Sequence, residues 1–208
     1  MANGTEAGRL VKVNGVDLSV HEMGQGQPVI LVQPGLVASG VYAHVAARLA
    51  ERFRVVTFDS RGHGRSTNPK GALSFEVLAD DTAELIRALN LDRPFVGGWS
   101  DGGEVALQLE LRHPGLARGL IAGGTSAEMG GSERARAETR AFFHADDNYA
   151  VDLDAYAAAH ASSLLPLLRQ LHPNGEAQWQ NVVRWSADMW LTYAGLSRDE
   201  AARIAAPT

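Results

Sequence analysis

The sequence contains no cysteine, which excludes disulfides, zinc–thiolate sites and a cysteine nucleophile together. It has no predominantly apolar run approaching the ~18 residues that a membrane-spanning helix needs. No Lys/Arg run is present and the net charge is −5, which argues against a nucleic-acid surface. The first eight residues, MANGTEAG, are small and polar. They lack the apolar core of a secretory signal. A soluble, cytoplasmic protein without nucleic-acid or membrane partners is expected from these absences.

What is present is ordinary for a globular chain: 45% hydrophobic and 21% charged residues over 208 positions. That length suffices for one well-buried α/β domain with a small appendage. Residues 10–20 alternate apolar and polar around Asn14-Gly15, the strongest short-range hairpin signal. Gly24–Pro28 reads as a turn, and Val29-Ile30-Leu31-Val32 as a strand buried on both faces, as in a parallel sheet. Pro34-Gly35-Leu36-Val37 forms the next loop. Tyr42, Val45, Ala46 and Leu49 then share one predicted helix face. Val55–Phe58 is a second buried strand, followed by Asp59-Ser60-Arg61-Gly62-His63-Gly64-Arg65-Ser66. Leu78, Leu85 and Leu89 mark a helix with Ser74 as its N-cap. A strand at 94–97, a helix ending near His113-Pro114 and a strand at Leu120-Ile121-Ala122 complete the alternation. Strands alternating with helices of this length read as βαβ units.

Between the strand at 94–97 and the following helix stands Gly98-Trp99-Ser100-Asp101-Gly102. Gly-x-Ser-x-Gly in strand–turn–helix context lifts a serine hydroxyl clear of the backbone at a sharp turn. The pattern alone is weak, so its weight comes from its neighbours. Beyond Gly124 the rhythm changes to helices only. Three of the four tryptophans lie there, and Trp179, Val182, Val183, Trp190 and Tyr193 recur at helical spacing. They read first as the core of a helical subdomain, and alternatively as the lining of a pocket over the serine.

With the NGVDL hairpin, VILVQPG, FDSRGHGRS, GGWSDGG and the terminal IAAPT in view, the chain resembles the α/β-hydrolase superfamily, particularly bacterial single-domain serine hydrolases with a helical cap. The resemblance runs from about residue 10 to the last residue. It implies an α/β fold: a mostly parallel sheet with an antiparallel start and an all-helical cap. The expected division is a hydrolase core at 1–127, a cap at 128–195 and a return towards the core at 196–208.

The resemblance also implies Ser100 as nucleophile, with the backbone N–H groups of Leu36 and Asp101 as oxyanion-hole donors. Where the family usually has His-Gly this chain has Pro34-Gly35, which puts the local loop hydrogen bonding in doubt. Asp59–Ser66 is expected to be a structural loop, Asp80 and Asp81 to be solvent-facing charge, and Trp99 to be a packing residue above the sheet. His113 is expected to close a helix. No cofactor and no metal site are expected, and the partner is a small-molecule acyl substrate.

In this fold the triad runs Ser, then acid, then His along the chain. The family's acid and histidine positions map beyond Thr208, and the last histidine is His172, inside the cap. The expectation is therefore a C-terminally incomplete hydrolase lacking two strands, two helices and two triad members. Glu128 is the alternative acid, weighed against a surface glutamate. His144 and His160 read as cap residues rather than bases. A serine at 100 argues against the family's dehalogenases and epoxide hydrolases, which place Asp there. The leading function is a serine hydrolase of small esters, lactones or related acyl compounds. The alternatives are a catalytically crippled fragment or binding protein, and a lyase on the same fold.

Overall fold

The computed structural model describes residues 8–125 and 131–208. Six strands form one sheet: β1 (Arg9–Val13), β2 (Val16–Met23), β3 (Pro28–Val32), β4 (Arg54–Phe58), β5 (Phe95–Trp99) and β6 (Gly119–Gly123). Their order is β1-β2-β4-β3-β5-β6. β1 and β2 pair antiparallel to each other, and β2 pairs antiparallel to β4. The remaining pairs are parallel. The β1–β2 turn has positive φ at both Asn14 (44°) and Gly15 (78°), the signature of the hairpin turn that Asn-Gly favours.

The apolar runs of β3 and β4 are covered on both faces. Val29, Leu31 and Val55 cluster with Ala46 of helix α1 (Ala43–Leu49). Ile30, Val32, Val56 and Phe58 join the core under helices α2 (Phe75–Ala88) and α3 (Asp101–Arg112). Ser74 caps α2, accepting a bond from the Val77 N–H at 3.2 Å. Tyr42 lies in a 3-10 turn ahead of α1, and Val45 is 46% exposed. The expected four-residue face therefore contracts to Tyr42, Ala46 and Leu49, with Val45, about 100° of helix rotation from Ala46, at its exposed margin.

One expectation about charge fails. Asp81 is not solvent-facing; it is buried in a bidentate pair with Arg61, both bonds at 2.6 Å. Adjacent helix positions differ by about 100° of rotation, so two neighbouring aspartates cannot share one environment. Asp80 points to the half-exposed side and pairs with Arg112 and His113, the C-cap of α3.

Beyond β6 the described residues are helical, apart from a single bridge between Ala145 and Val151. Helices α4 (Glu133–Phe143), α5 (Leu153–Ala159), α6 (Leu164–Leu171) and α7 (Glu176–Thr192) surround a second core. It contains Phe143, Tyr156, Leu168, Trp179, Val182 and Val183, and also Leu36 from the loop after β3. The other side of α7 brings Met189, Trp185 and Trp190 against the sheet's core. A last short helix, α8 (Arg198–Ala202), carries a Ser197/Glu200 capping box. The Pro207 carbonyl then accepts from the Leu120 N–H at 2.7 Å, beside β6.

Candidate active site

The site sits at the carboxyl ends of β3 and β5. Chain order leaves β3 for β4 on one side and returns to β5 on the other. Such a switch point opens a crevice at the strand ends. β5 runs straight into Ser100, which takes φ 55° and ψ −121° before α3 begins. That conformation is strained for a non-glycine residue by about 1–3 kcal/mol. It is held by the Ser100 N–H donating to Gly123 O at 2.8 Å, and by the Ser100 carbonyl accepting from Gly103 (2.9 Å) and Glu104 (3.1 Å). The flanking glycines permit it sterically. A Cβ at Gly102 would overlap the Val32 carbonyl, and one at Gly98 would lie 2.7 Å from the Gly102 Cα. Among the described residues no group hydrogen-bonds the Ser100 hydroxyl, which is partly exposed at the head of α3.

Two neighbours brace this turn. The Tyr42 hydroxyl donates to Val32 O at 3.2 Å and accepts the Trp99 N–H at 2.9 Å, tying the ends of β3 and β5 together. The loop at 34–37 lies against the start of α3, where Gly35 is so close that a Cβ would overlap the Asp101 carboxyl. Leu36 in that loop has φ 65° and is buried. Trp99 is 61% exposed, its ring lying over Gly123 and Gly124. The expected packing contact exists, but one face of the indole remains open beside Ser100.

Below the serine, the first turn of α3 buries two carboxylates. Asp101 accepts from Trp190 Nε1 at 2.9 Å, while its second oxygen, Oδ1, has no partner among the described residues. Burial pushes the Asp101 carboxyl up to about 7, opposed by the Trp190 N–H and reinforced by the nearby Glu104. Glu104 accepts from the Tyr193 hydroxyl, and from Thr125 Oγ1 at 2.7 Å. Burial foremost, then the bond to Glu104, raises the Tyr193 phenol above its ordinary range. Tyr42 and Glu104 carry no site signal in the sequence, whereas Trp190 and Tyr193 are among the residues read first as subdomain core and alternatively as a pocket lining over the serine. The Trp190 and Tyr193 periodicity marked a buried helix face without saying that it would touch α3.

Four of the seven histidines are hydrogen-bonded elsewhere. His63 Nδ1 bonds Arg61 O, His113 bonds Asp80, and His160 Nε2 approaches the Phe142 carbonyl. His172 lies between the Leu36 carbonyl and the Gly64 N–H. Glu128, the alternative acid, lies outside the described residues. The 59–66 segment is a closed polar loop: the Asp59 carboxylate accepts from Ser39 N and Oγ (2.9 and 2.7 Å) and from Arg65 N (2.9 Å). Two surface grooves share Asp80, Arg112 and His113, and neither is lined by the Ser100 turn. Among the described residues no three His, Asp or Glu side chains are grouped to hold a metal ion, and no helix is long and apolar enough to cross a membrane.

A mixed sheet, a strained serine at a β5–α3 turn and a helical layer above it define a class of fold. The family model described as alpha/beta hydrolase fold matches residues 28–206. The chain belongs to that family. Among curated proteins it is similar to the serine hydrolase BPHL of Mus musculus, 34% identical over 123 residues, covering 56% of this chain and 42% of that protein. Across the curated relatives it matches, the aligned part spans less than half of their length. Among solved structures it is similar to the enol-lactonase of Burkholderia xenovorans LB400, with TM-score 0.73 and 23% identity, covering 96% of this chain and 78% of that one. It is also similar to Est816, described as an N-acyl homoserine lactone degrading enzyme, with TM-score 0.71 and 25% identity, covering 96% and 79%.

Proposed function

We propose that the chain carries the nucleophile, Ser100, of a serine hydrolase acting on small esters, lactones or related acyl compounds. The observation that carries this reading is Ser100 itself. Among the described residues its hydroxyl has no partner, and it stands on a strained turn at the N-terminus of α3, where backbone N–H groups favour developing negative charge. In the proposed reaction Ser100 Oγ attacks the acyl carbon and its proton passes to a general base. The carbonyl oxygen becomes an oxyanion facing the Leu36 and Asp101 N–H groups, and the alcohol leaves to give an acyl-enzyme that water then hydrolyses. The description of BPHL as a serine hydrolase and of Est816 as a lactone-degrading enzyme supports this class.

A specific observation favours a second reading, a crippled or non-catalytic member of the fold: among the described residues no base reaches Ser100. A serine without its base retains about 10³–10⁴-fold catalysis over water. The two readings separate on labelling by a fluorophosphonate, mapped by peptide mass spectrometry. We expect the 208-residue chain to label slowly, at Ser100, and Ser100→Ala not to label at that peptide. Ester turnover undiminished in Ser100→Ala overturns the nucleophile assignment, and rapid labelling of the wild-type chain overturns the crippled reading.

A further inference from the structure

The cap touches the loop after β3 through one buried histidine. His172, the C-cap of α6, is 1% exposed and uses both ring nitrogens. Its Nδ1 accepts the Gly64 N–H at 3.0 Å, which requires the proton to sit on Nε2. Nε2–H then donates to the Leu36 carbonyl at 2.9 Å, across 136 residues of sequence. Leu36 itself has φ 65°, a left-handed conformation that disfavours a residue with a side chain by roughly 1–2 kcal/mol. A residue so placed stays there only when its surroundings hold it. Its side chain is gripped by the cap core and its carbonyl by His172.

We propose that His172 is a positioning residue for the oxyanion loop, holding Leu36 in its left-handed conformation so that the Leu36 N–H faces the space above Ser100. The proposal rests on the reading of Leu36 as an oxyanion donor. The reasoning is local. The φ of residue 36 sets the angle between the 35–36 peptide, which carries the N–H, and the 36–37 peptide, whose oxygen His172 holds. Released from that bond, Leu36 relaxes towards negative φ and its N–H rotates away. The imidazole also fixes the loop after β4 through Gly64, so one ring joins three segments distant in sequence.

The test compares His172→Leu, which removes both bonds, with His172→Gln, whose amide can donate to Leu36 and accept from Gly64. In ¹⁵N-labelled full chain, we expect wild type and His172→Gln to show the strong intraresidue HN–Hα Overhauser effect of a positive φ at Leu36. We expect His172→Leu to lose it. Loss of one oxyanion donor costs about 10²–10³ in rate. Ser100 labelling by the fluorophosphonate should therefore slow at least roughly tenfold in His172→Leu, and stay within about threefold in His172→Gln. A folded His172→Leu with an unchanged Leu36 resonance overturns the proposal. Should His172→Leu not fold, His172→Gln decides: Leu36 relaxed to negative φ with labelling unchanged overturns it equally. If no chain labels at Ser100, wild type included, the nucleophile reading falls. The Leu36 resonance then decides the role of His172 by itself.

Discussion

Two glycine-rich turns leave the strands on either side of β3 at the same end of the sheet, and they treat their polar residues in opposite ways. After β4, nearly every polar group is consumed internally. Arg61 pairs with Asp81, Asp59 accepts from Ser39 and Arg65, and Ser66 Oγ accepts from Ser19 N at 2.8 Å while donating to Asp59 O at 2.5 Å. After β5, the backbone is just as constrained, yet the Ser100 hydroxyl has no partner among the described residues. The first pattern is what a structural loop requires, because a buried polar group left unpaired costs about 1–3 kcal/mol. The second leaves the Ser100 hydroxyl, the proposed nucleophile, available at the expense of strain.

The sharpest way to break the comparison is Arg61→Leu. It leaves the Asp81 carboxylate without its counter-ion, at side-chain exposure of 2% and with the Asn14 Nδ2 bond as its remaining side-chain contact among the described residues. We expect a loss of about 3–5 kcal/mol, read as a large fall in the urea midpoint. A shift indistinguishable from wild type would mean that the pair contributes nothing to the loop.

Acid distinguishes the turns by sign. Burial, and then the adjacent His172, holds His63 down from its ordinary 6.5 to about 4. Between those values the unfolded chain binds a proton that the folded chain refuses, so this loop's contribution is complete above 6.5 and declines as pH falls towards 4. Asp101 works the other way. Its carboxyl is raised from 3.8 to about 7, so the folded state binds the extra proton, and its contribution is complete below 3.8 and lost as pH rises through 7. Each group can change the slope of stability against pH by at most about 1.4 kcal/mol per unit. Urea titrations of His63→Gln and Asp101→Asn across pH 4–8 should shift that slope in opposite directions. Parallel shifts would refute the assignment.

The matched serines give smaller effects. Ser66→Ala orphans the Ser19 N–H and should destabilise by roughly 1–3 kcal/mol. Ser100→Ala should change stability by less than about 0.5 kcal/mol while removing phosphonate labelling at that site. If Ser100→Ala destabilised as much as Ser66→Ala, the hydroxyl would have a structural partner and the contrast between the turns would collapse.

Much of the framework was legible because it is written in local signals. Asn14-Gly15 demanded its turn, uninterrupted β-branched runs demanded burial on both faces, and Gly98–Gly102 announced a tight strand-to-helix corner. Ser74 capped its helix as its position implied. The misreadings have a common origin. Asp80 and Asp81 look alike in sequence, and only the approach of Arg61 from another loop decides which is buried. Val45 fits the helical period but stands at the margin of the face, where only tertiary packing decides exposure.

The sequence by itself determined the fold family, the serine and the corner that presents it, because strand period, turn chemistry and glycine sterics act within a few residues. Only the tertiary structure decided what supports that corner. Tyr42 reaches Trp99 across 57 residues, Trp190 reaches Asp101 across 89, and His172 reaches Leu36 across 136. Hydrogen bonds of about 3 Å between such distant positions have no periodicity to betray them. The last two exist because α7 packs one side against the sheet's core and the other, with α6, into the second core, and that packing delivers the indole and the imidazole to the loops beneath.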